Sequence, residues 1–210
     1  ILVQRYNASG VAQGGNVRAN STTSKIQESS NIAVAGNGDY VVSWDSEDQD
    51  TGSTWGIYGQ RYSASGVAQG GEFRINATTA GDQYYSAIAI DSSGNFVVAW
   101  ESATQDSGGN SGVYAQRFNA AGVAQGGEFR VNSTTAGAQT TATVAMQANG
   151  QFIVAWVSNG QDETGTLGVY AQQFEASGAP SGTETLVNTT TTGTQSQPAV
   201  VLRGGRAVVT

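Results

Sequence analysis

The stretch Gly-Val-Tyr-Ala-Gln-Arg-Phe-Asn-Ala-Ala-Gly at residues 112–122 decides the fold, because it is one copy of a repeat. Its central triplet recurs every 56 residues, as Gln4-Arg5-Tyr6, Gln60-Arg61-Tyr62, Gln116-Arg117-Phe118 and Gln172-Gln173-Phe174. A glycine follows each triplet at the same distance, and a Val-rich segment ending in tryptophan repeats in the same register. Self-similarity at a fixed period indicates a repeat protein whose units pack against their neighbours.

Each unit has the sequence pattern of four short strands. In the best-formed unit, apolar alternation with many β-branched and aromatic side chains marks residues 86–91, 95–101, 112–118 and 127–132. The pairs Asn37-Gly38, Ser93-Gly94 and Asn149-Gly150 fit tight turns between the first two strands, because glycine tolerates positive φ. Four antiparallel strands followed by a crossover predict a blade of a β-propeller, with no helix.

The two ends of the chain predict how the propeller closes. Residues 1–6 match the third strand of a unit, and residues 204–210 match the second. We therefore expect one all-β domain over residues 1–210, a four-bladed β-propeller closed 2+2 by the terminal strands, which leaves no open sheet edge. The expected blades are blade 1 from residues 1–20 with 199–210, blade 2 from 31–76, blade 3 from 86–132 and blade 4 from 142–188.

Charge and composition exclude several classes of function. The 210 residues carry 9 basic and 16 acidic side chains, a net charge of −7, without any basic run. Nucleic acid and anionic membranes would not attract such a surface, so neither is an expected partner. The absence of cysteine and histidine excludes disulfides, thiolate nucleophiles and histidine-based catalysis, and leaves carboxylates for any chemistry. No apolar run is long enough to span a bilayer.

The polar composition also indicates where the protein works. Gly, Ser, Thr, Asn and Gln are abundant while Lys25 is the sole lysine, which is typical of bacterial surface and extracellular proteins. The sequence opens at Ile1 in mid-pattern, without an initiator methionine or a signal peptide. We expect a piece of a longer secreted or cell-surface bacterial protein.

The repeated motifs resemble the tandem repeats of large bacterial RTX-type secreted proteins and adhesins. The resemblance rests on residues 112–122, on Gly126-Gly127-Glu128-Phe129-Arg130-Val131-Asn132 and on residues 152–156, and it extends over every unit. It implies type I secretion, a calcium-rich exterior and a role in adhesion or matrix, and it supplies no catalytic residue. The calcium-binding nonapeptides of those proteins are absent from this sequence, so the resemblance does not carry a calcium site to this chain.

The tryptophans fall into two groups. Trp44, Trp100 and Trp156 end the apolar segments, and this position predicts packing between blades. Trp55 lies in a polar loop, where two alternatives stay open: packing on the base of its own loop, or an exposed contact for a ligand. A set of repeated glutamines is expected to satisfy buried backbone groups between blades, namely Gln27, Gln83, Gln139 and Gln195.

The loop after each tryptophan strand repeats Ser-x-x-Gln-Asp and ends at Asp50, Asp106 or Asp162. In a propeller this loop emerges on the face where ligands commonly bind, so these aspartates and Trp55 are the candidate ligand-binding residues. Asp48 and Asp50 belong to the densest acidic cluster, and Ca²⁺ prefers several oxygen ligands from one loop. Two interpretations stay open for this loop, a calcium site or a turn in which aspartate precedes glycine.

The sequence favours a non-enzymatic binding or structural module for adhesion, carbohydrate binding or assembly of a surface structure. Glycans, other surface proteins and further copies of the chain are the expected partners, and calcium is the one cofactor considered. The alternative is a polysaccharide-acting hydrolase with carboxylates on the top face. An enzyme on a symmetric propeller is expected to break the repeat at its site, and the departures from the repeat are interpreted as conservative, which favours the non-enzymatic class.

Overall fold

The computed structural model describes residues 1–50, 52, 54–162 and 165–210. The chain begins with a two-stranded sheet, here called the N-terminal half-blade, formed by β1 (Leu2–Val3) and β2 (Val17–Arg18). Blade 2 follows as an antiparallel sheet of β3 (Gln27–Val34), β4 (Tyr40–Glu47), β5 (Trp55–Tyr62) and β6 (Phe73–Arg74).

Two further sheets repeat the order of blade 2. Blade 3 contains β7 (Gln83–Ile90), β8 (Phe96–Ser102), β9 (Gly112–Phe118) and β10 (Phe129–Arg130). Blade 4 contains β11 (Gln139–Met146), β12 (Phe152–Asn159), β13 (Leu167–Phe174) and β14 (Pro180–Leu186). A second two-stranded sheet ends the chain as the C-terminal half-blade, formed by β15 (Val200–Arg203) and β16 (Arg206–Val209).

Helix is almost absent, as expected from the sequence. A three-residue 3₁₀ turn at Ser107–Gly109 is the only helical element in the described part of the chain. Within the same residues, no helix is long and apolar enough to cross a membrane.

The turn between the first two strands of each blade depends on one glycine. Gly38, Gly94 and Gly150 have φ between 84° and 87°, so the prediction from the sequence is confirmed at these positions. In blade 3 the turn is closed by the Gly94 amide, which donates to the carbonyl of Asp91 at 3.2 Å. A Cβ atom on Gly94 would lie 3.1 Å from the Cβ of Ala120, so steric room and backbone conformation both favour glycine.

The apolar core lies between neighbouring sheets. Trp44, Trp100 and Trp156 are fully buried, which confirms their predicted packing. One face of blade 2 packs on the aromatic face of blade 3, where Val41 and Ile57 meet Trp100. The same arrangement joins blade 3 to blade 4, and blade 4 to the C-terminal half-blade.

The repeated glutamines act within a blade. The indole Nε1 of Trp100 donates to Gln83 Oε1 at 2.8 Å, and the indole of Trp156 donates to Gln139 Oε1 at 3.0 Å. The Nε2 atoms of the same glutamines donate to the backbone carbonyls of Gly81 at 3.4 Å and Ala136 at 3.3 Å, so the predicted bonds to backbone groups are found, in the connection that leads into each blade and not across to another blade. A buried indole N–H needs an acceptor, and the side-chain oxygen of glutamine supplies it.

The terminal strands do not close a blade. β1 pairs with β2 and β16 pairs with β15, and each pair is a separate sheet. The expected pairing of the two ends, and with it the 2+2 closure, is thus not found in the described structure. The two half-blades cover the outer faces of blades 2 and 4, where Ile1 and Val3 pack near Trp44 and Leu202 packs near Ile153.

The first strand of each blade also begins earlier than the sequence pattern indicates, at Gln27, Gln83 and Gln139. A β-bulge lies near the start of each of these strands, at the register shifts between residues 28 and 31, 84 and 87, and 140 and 143. The bulge interrupts the period of two, so alternation alone misses the residues before it.

Candidate functional site

The bulged segments of the three blades lie together and line a cavity of about 440 Å³. Its walls are residues 29–31, 85–87 and 141–143, because β7 lies against both β3 and β11. Ser29, Tyr85 and Thr141 occupy equivalent positions and have φ of 52°, 53° and 53°. Residues other than glycine are strained in this region, and such strain persists only where the surrounding structure enforces it.

The carboxylate of Asp45 holds the bulge of the next blade in place. Its Oδ2 atom accepts a hydrogen bond from the backbone N–H of Tyr85 at 2.9 Å, across the junction between blades 2 and 3. Asp45 is 1% exposed, and its Oδ1 atom has no partner. Burial raises the pKa of Asp45 to about 6, and the hydrogen bonds from residues 85 and 86 oppose that rise.

Glu101 occupies the position in blade 3 that Asp45 occupies in blade 2. It accepts hydrogen bonds from the hydroxyl of Ser111 and from the backbone N–H of Thr141, so it supports the next bulge in turn. Burial raises the pKa of Glu101, although the side chain is only half-buried. Glu101 therefore combines a raised pKa with access from solvent. The third equivalent position holds Val157, so the fourth blade lacks the carboxylate.

Three aromatic rings form a cluster beside these carboxylates. Trp55 and Tyr84 have ring centroids 5.9 Å apart, and Tyr84 and Tyr85 have centroids 5.8 Å apart. Tyr85 also lines the cavity and is 58% exposed. Tyr84 is the direct cross-strand partner of Glu101, so the cluster adjoins that carboxylate.

Asp82 ties the aromatic cluster together. Its Oδ1 atom accepts the backbone N–H of Trp55 at 3.0 Å, and its carboxylate accepts the hydroxyl of Tyr84. Burial and this acidic neighbour raise the pKa of Tyr84, so the phenol stays protonated and donates. Asp82 and Tyr84 are both half-buried, and the group is open to solvent on one side.

These residues share one property, which is that each breaks the repeat. Trp55 stands where the other blades have Ser111 and Leu167, and Tyr84 stands where they have Glu28 and Thr140. Asp82 likewise stands where they have Ile26 and Ala138. The interpretation of the departures as conservative is therefore wrong, because Trp55, Asp82 and Tyr84 are non-conservative departures that lie together. Comparing the copies position by position, across all loops together, would have found them.

The Ser-x-x-Gln-Asp loops, in contrast, form a repeated internal contact. Asp106 is buried, and it accepts the hydroxyl of Tyr114 at 2.8 Å and the side-chain amide of Asn132 at 2.6 Å. Asp50 makes the same two contacts with Tyr58 and Asn76, both at 2.7 Å.

Asp162 completes the set, since it accepts from Asn188 at 3.2 Å. We call these contacts the aspartate clamps. Binding of a ligand by the clamp carboxylates would require these bonds to break, so a ligand-binding role for Asp50, Asp106 and Asp162 stays a prediction without a supporting contact.

The serine and glutamine of the same loops support the crossovers. Ser102 donates to Gln105 at 3.0 Å, and Gln105 donates to Glu128 at 2.8 Å. Glu128 in turn accepts a hydrogen bond from the backbone N–H of Ala77 at 2.7 Å. Ala77 lies in the connection from the preceding blade. The serine and glutamine of the motif therefore stabilise the fold by connecting the loop to the crossover between blades.

The side chains of Asp48 and Asp50, in the acidic loop of blade 2, do not point toward a common site. Asp48 pairs with Lys25 at 2.9 Å, whereas Asp50 is turned inward to its clamp. In the described residues no group of three or more acidic side chains is arranged to hold a metal ion. The calcium interpretation for Asp48 and Asp50 therefore receives no support from the geometry.

The fold is similar to that of solved structures. An endo-arabinase from Bacteroides thetaiotaomicron VPI-5482 superposes with a TM-score of 0.52 at 14% identity, over 86% of this chain and 68% of that chain. A Hadza microbial sialidase superposes with a TM-score of 0.47 at 11% identity, over 69% of this chain and 35% of that chain. No protein-family model matches this chain, and no curated protein matches it.

The likeness to the endo-arabinase establishes the fold class and corrects one prediction. At 14% identity the likeness to the endo-arabinase concerns the fold, which is all-β and of the propeller type. The expectation that this chain is not an enzyme is contradicted, because the same fold carries an enzyme in that structure. The resemblance to RTX-type repeats is tested by none of these matches and stays a prediction.

Proposed function

We propose that the chain is a glycoside hydrolase, or the core of one, that acts on a polysaccharide at the junction of blades 2 and 3. The observation that carries the proposal is the aromatic cluster of Trp55, Tyr84 and Tyr85 beside Glu101, at positions where blades 2 and 3 depart from the repeat. Aromatic faces suit sugar rings because the C–H groups of a sugar pack on a π surface. The likeness to an endo-arabinase agrees with this activity.

Glu101 is the candidate general acid. Burial raises the pKa of Glu101, which favours the protonated form that a general acid requires, and the side chain remains half-exposed to a substrate. Protonation of the glycosidic oxygen by Glu101 would release the leaving sugar, and the second carboxylate would act on the opposite face of the ring. Asp82 is the candidate for that second role, because two donors hold it beside the cluster.

The charge of the junction favours a neutral glycan. Asp45, Asp82 and Glu101 are all acidic, and Glu28 lies opposite Asp45 in the sheet and acts to raise the pKa of Asp45. A carboxylated sugar would be repelled by these groups at neutral pH. We therefore expect uncharged pentose or hexose polymers as substrates, and not polymers of uronic or sialic acids. Action on such polymers agrees with a secreted bacterial enzyme.

The test is hydrolysis of a panel of neutral and acidic polysaccharides, measured as the release of reducing sugar. We expect the parent to cleave at least one neutral polymer, and Glu101→Gln to lower kcat by about 100-fold or more, because general acid catalysis has this magnitude. Glu175→Gln is the matched control, since Glu175 lies on the outer hairpin of blade 4 and bonds Gln151. Full activity in Glu101→Gln, or no cleavage by the parent, contradicts the proposal.

A second variant separates binding from chemistry. Trp55→Ala removes one ring of the cluster and leaves Glu101 in place, so it should raise KM several-fold with a smaller change in kcat. Equal losses of kcat in Trp55→Ala and Glu101→Gln would show that the cluster acts only by holding the fold.

A further inference from the structure

The cavity lined by the bulged segments has a polar and uncharged wall. Its volume of about 440 Å³ is within the range of about 300–1,000 Å³ that is usual for sites of small ligands. All nine lining residues lie on the first strands of the three complete blades. None of these described residues is acidic or basic, and all except Ala87 and Ala142 carry a hydroxyl or a side-chain amide.

Part of this wall is fixed by bonds between blades 2 and 3. The side-chain amide of Asn31 donates to the carbonyl of Ser86 at 2.6 Å, and the hydroxyls of Ser43 and Ser86 bond each other at 3.0 Å. Asn31 stands where the other blades have Ala87 and Thr143, so the first of these bonds is a departure from the repeat. The wall is therefore held in place before a ligand arrives, which lowers the cost of binding.

The rest of the wall has hydrogen-bonding groups to spare. The hydroxyls of Ser30, Thr141 and Thr143 have no partner among the described residues. A hydroxyl both donates and accepts, so these three suit a ligand whose own groups do both. The hydroxyls of a neutral sugar have this property, whereas a metal cation needs only acceptors.

Glu101 connects this cavity to the aromatic cluster. Its carboxylate accepts a hydrogen bond from the backbone N–H of Thr141 in the cavity wall, and its cross-strand partner is Tyr84 of the cluster. Tyr85 belongs to both, since it lines the cavity and its ring centroid lies 5.8 Å from that of Tyr84. A glycosidic bond that Glu101 protonates would thus have the cavity on one side and the aromatic rings on the other.

We propose that the cavity binds one neutral sugar residue next to the bond that Glu101 cleaves, while the adjoining part of the chain lies on the aromatic cluster. The position of the cleaved bond rests on the proposed function, whereas the ligand class of the cavity rests on its wall. A free neutral monosaccharide is then a ligand of the cavity. An acidic monosaccharide binds less well, because the carboxylates of Glu101 and Asp45 bond the backbone of cavity residues 141 and 85.

The first experiment measures binding of free monosaccharides to the parent by saturation-transfer NMR, which needs no hydrolysis. The probes are the neutral sugars xylose, arabinose, glucose and galactose, and the acidic sugar glucuronic acid. We expect saturable binding of at least one neutral sugar and a lower affinity for glucuronic acid. No saturable binding of any neutral sugar, or tighter binding of glucuronic acid, would overturn the proposal.

Removal of hydroxyls locates the bound sugar. Ser30→Ala with Thr143→Val should raise Kd about 5-fold or more, because each lost hydrogen bond is worth a factor of about 2 to 10. Ser9→Ala with Thr23→Val is the matched control at exposed residues outside the cavity, and it should leave Kd unchanged. Circular dichroism shows whether each variant folds, and Ser30→Ala alone, at an exposed position, replaces a double variant that does not. A folded cavity variant that binds the sugar as tightly as the parent would contradict the assignment.

Trp55→Ala separates the cavity from the aromatic cluster. It should keep the Kd of the parent for the monosaccharide, because Trp55 does not line the cavity. An equal loss of affinity in Trp55→Ala and in the cavity variant would place the sugar on the cluster and overturn the proposal. Saturable binding by a parent that cleaves no polysaccharide would refute the proposed function and support the cavity as a sugar site. Cleavage of a polysaccharide without binding of any monosaccharide would do the reverse.

Discussion

The aspartate clamps and the junction of blades 2 and 3 both contain buried carboxylates, yet only the clamps keep the same acidic residue in all three complete blades. Asp50 and Asp106 make the same bonds to a tyrosine and an asparagine in their own blades. Burial raises the pKa of the clamp tyrosine Tyr114 to about 12, so its hydroxyl remains a donor. Asp45, at the junction of blades 2 and 3, has an orphaned oxygen, and Glu101, which bonds to Thr141 of blade 4, is open to solvent. A carboxylate that is repeated and fully hydrogen-bonded indicates a structural role. A carboxylate that changes from copy to copy and has an unpaired or exposed oxygen indicates a functional site.

The largest expected effect separates a repeated tryptophan from the unrepeated one. Trp100→Ala empties a fully buried site and leaves Gln83 without its donor, so it should lower the free energy of unfolding by about 3–5 kcal/mol. Trp55→Ala should cost far less, because that side chain is half-buried at the junction. Urea denaturation of both variants measures the difference, and equal midpoints would break the comparison.

Asp45 gives the next largest effect, as a dependence of stability on pH. Its pKa is about 6 in the folded chain and near 3.8 in the unfolded chain. The folded state therefore holds a proton that the unfolded state has lost, and the free energy of unfolding falls as the pH rises from about 4 to about 6. The fall from this group should reach about 2–3 kcal/mol, since each pKa unit is worth about 1.4 kcal/mol.

The matched variant is Asp45→Asn, which keeps an acceptor for the N–H of Tyr85 and cannot ionise. Subtracting its stability from that of the parent at each pH isolates the contribution of Asp45. A difference that is flat between pH 4 and pH 6 would show that Asp45 is solvated like an ordinary aspartate.

A smaller effect tests how tightly a clamp is packed. A Cβ atom on Gly112 would lie 2.5–2.6 Å from the carboxylate of Asp106, which two bonds hold in place. Gly112→Ala should therefore destabilise by about 1–3 kcal/mol, the usual cost of overpacking. Gly127→Ala is the control, because nothing lies within 4 Å of its Cβ position. Similar thermal midpoints for the two variants would contradict the assignment of the clamp as rigid.

The sequence predicts the blades well because their signals are local. Period-two alternation, turn glycines and buried tryptophans report on neighbouring residues, and the third-strand bounds of 112–118 agree with β9. The junction could not be found that way, because Trp55 of blade 2 meets Asp82 and Tyr84 of blade 3 only when the two sheets pack together. The expected closure of the ends is not confirmed for a related reason, since the position of a strand in the repeat specifies which strands can pair and not which strands do pair.

The smallest expected effect concerns calcium and the acidic loop of blade 2. If the ion bound Asp48 and Asp50, it would stabilise the native state by mass action, and a chelator would lower the melting temperature. The geometry opposes this, because Asp48 pairs with Lys25 on the surface while Asp50 is bonded to Tyr58 and Asn76 inside. We therefore expect the melting temperature of the parent to be the same in calcium and in chelator. Asp50→Asn should still destabilise, because an amide replaces a carboxylate that accepts two bonds, whereas Asp48→Asn should change little, because exposed ion pairs contribute little. A chelator effect on the parent that disappears in Asp48→Asn would turn this loop from a structural clamp into a binding site.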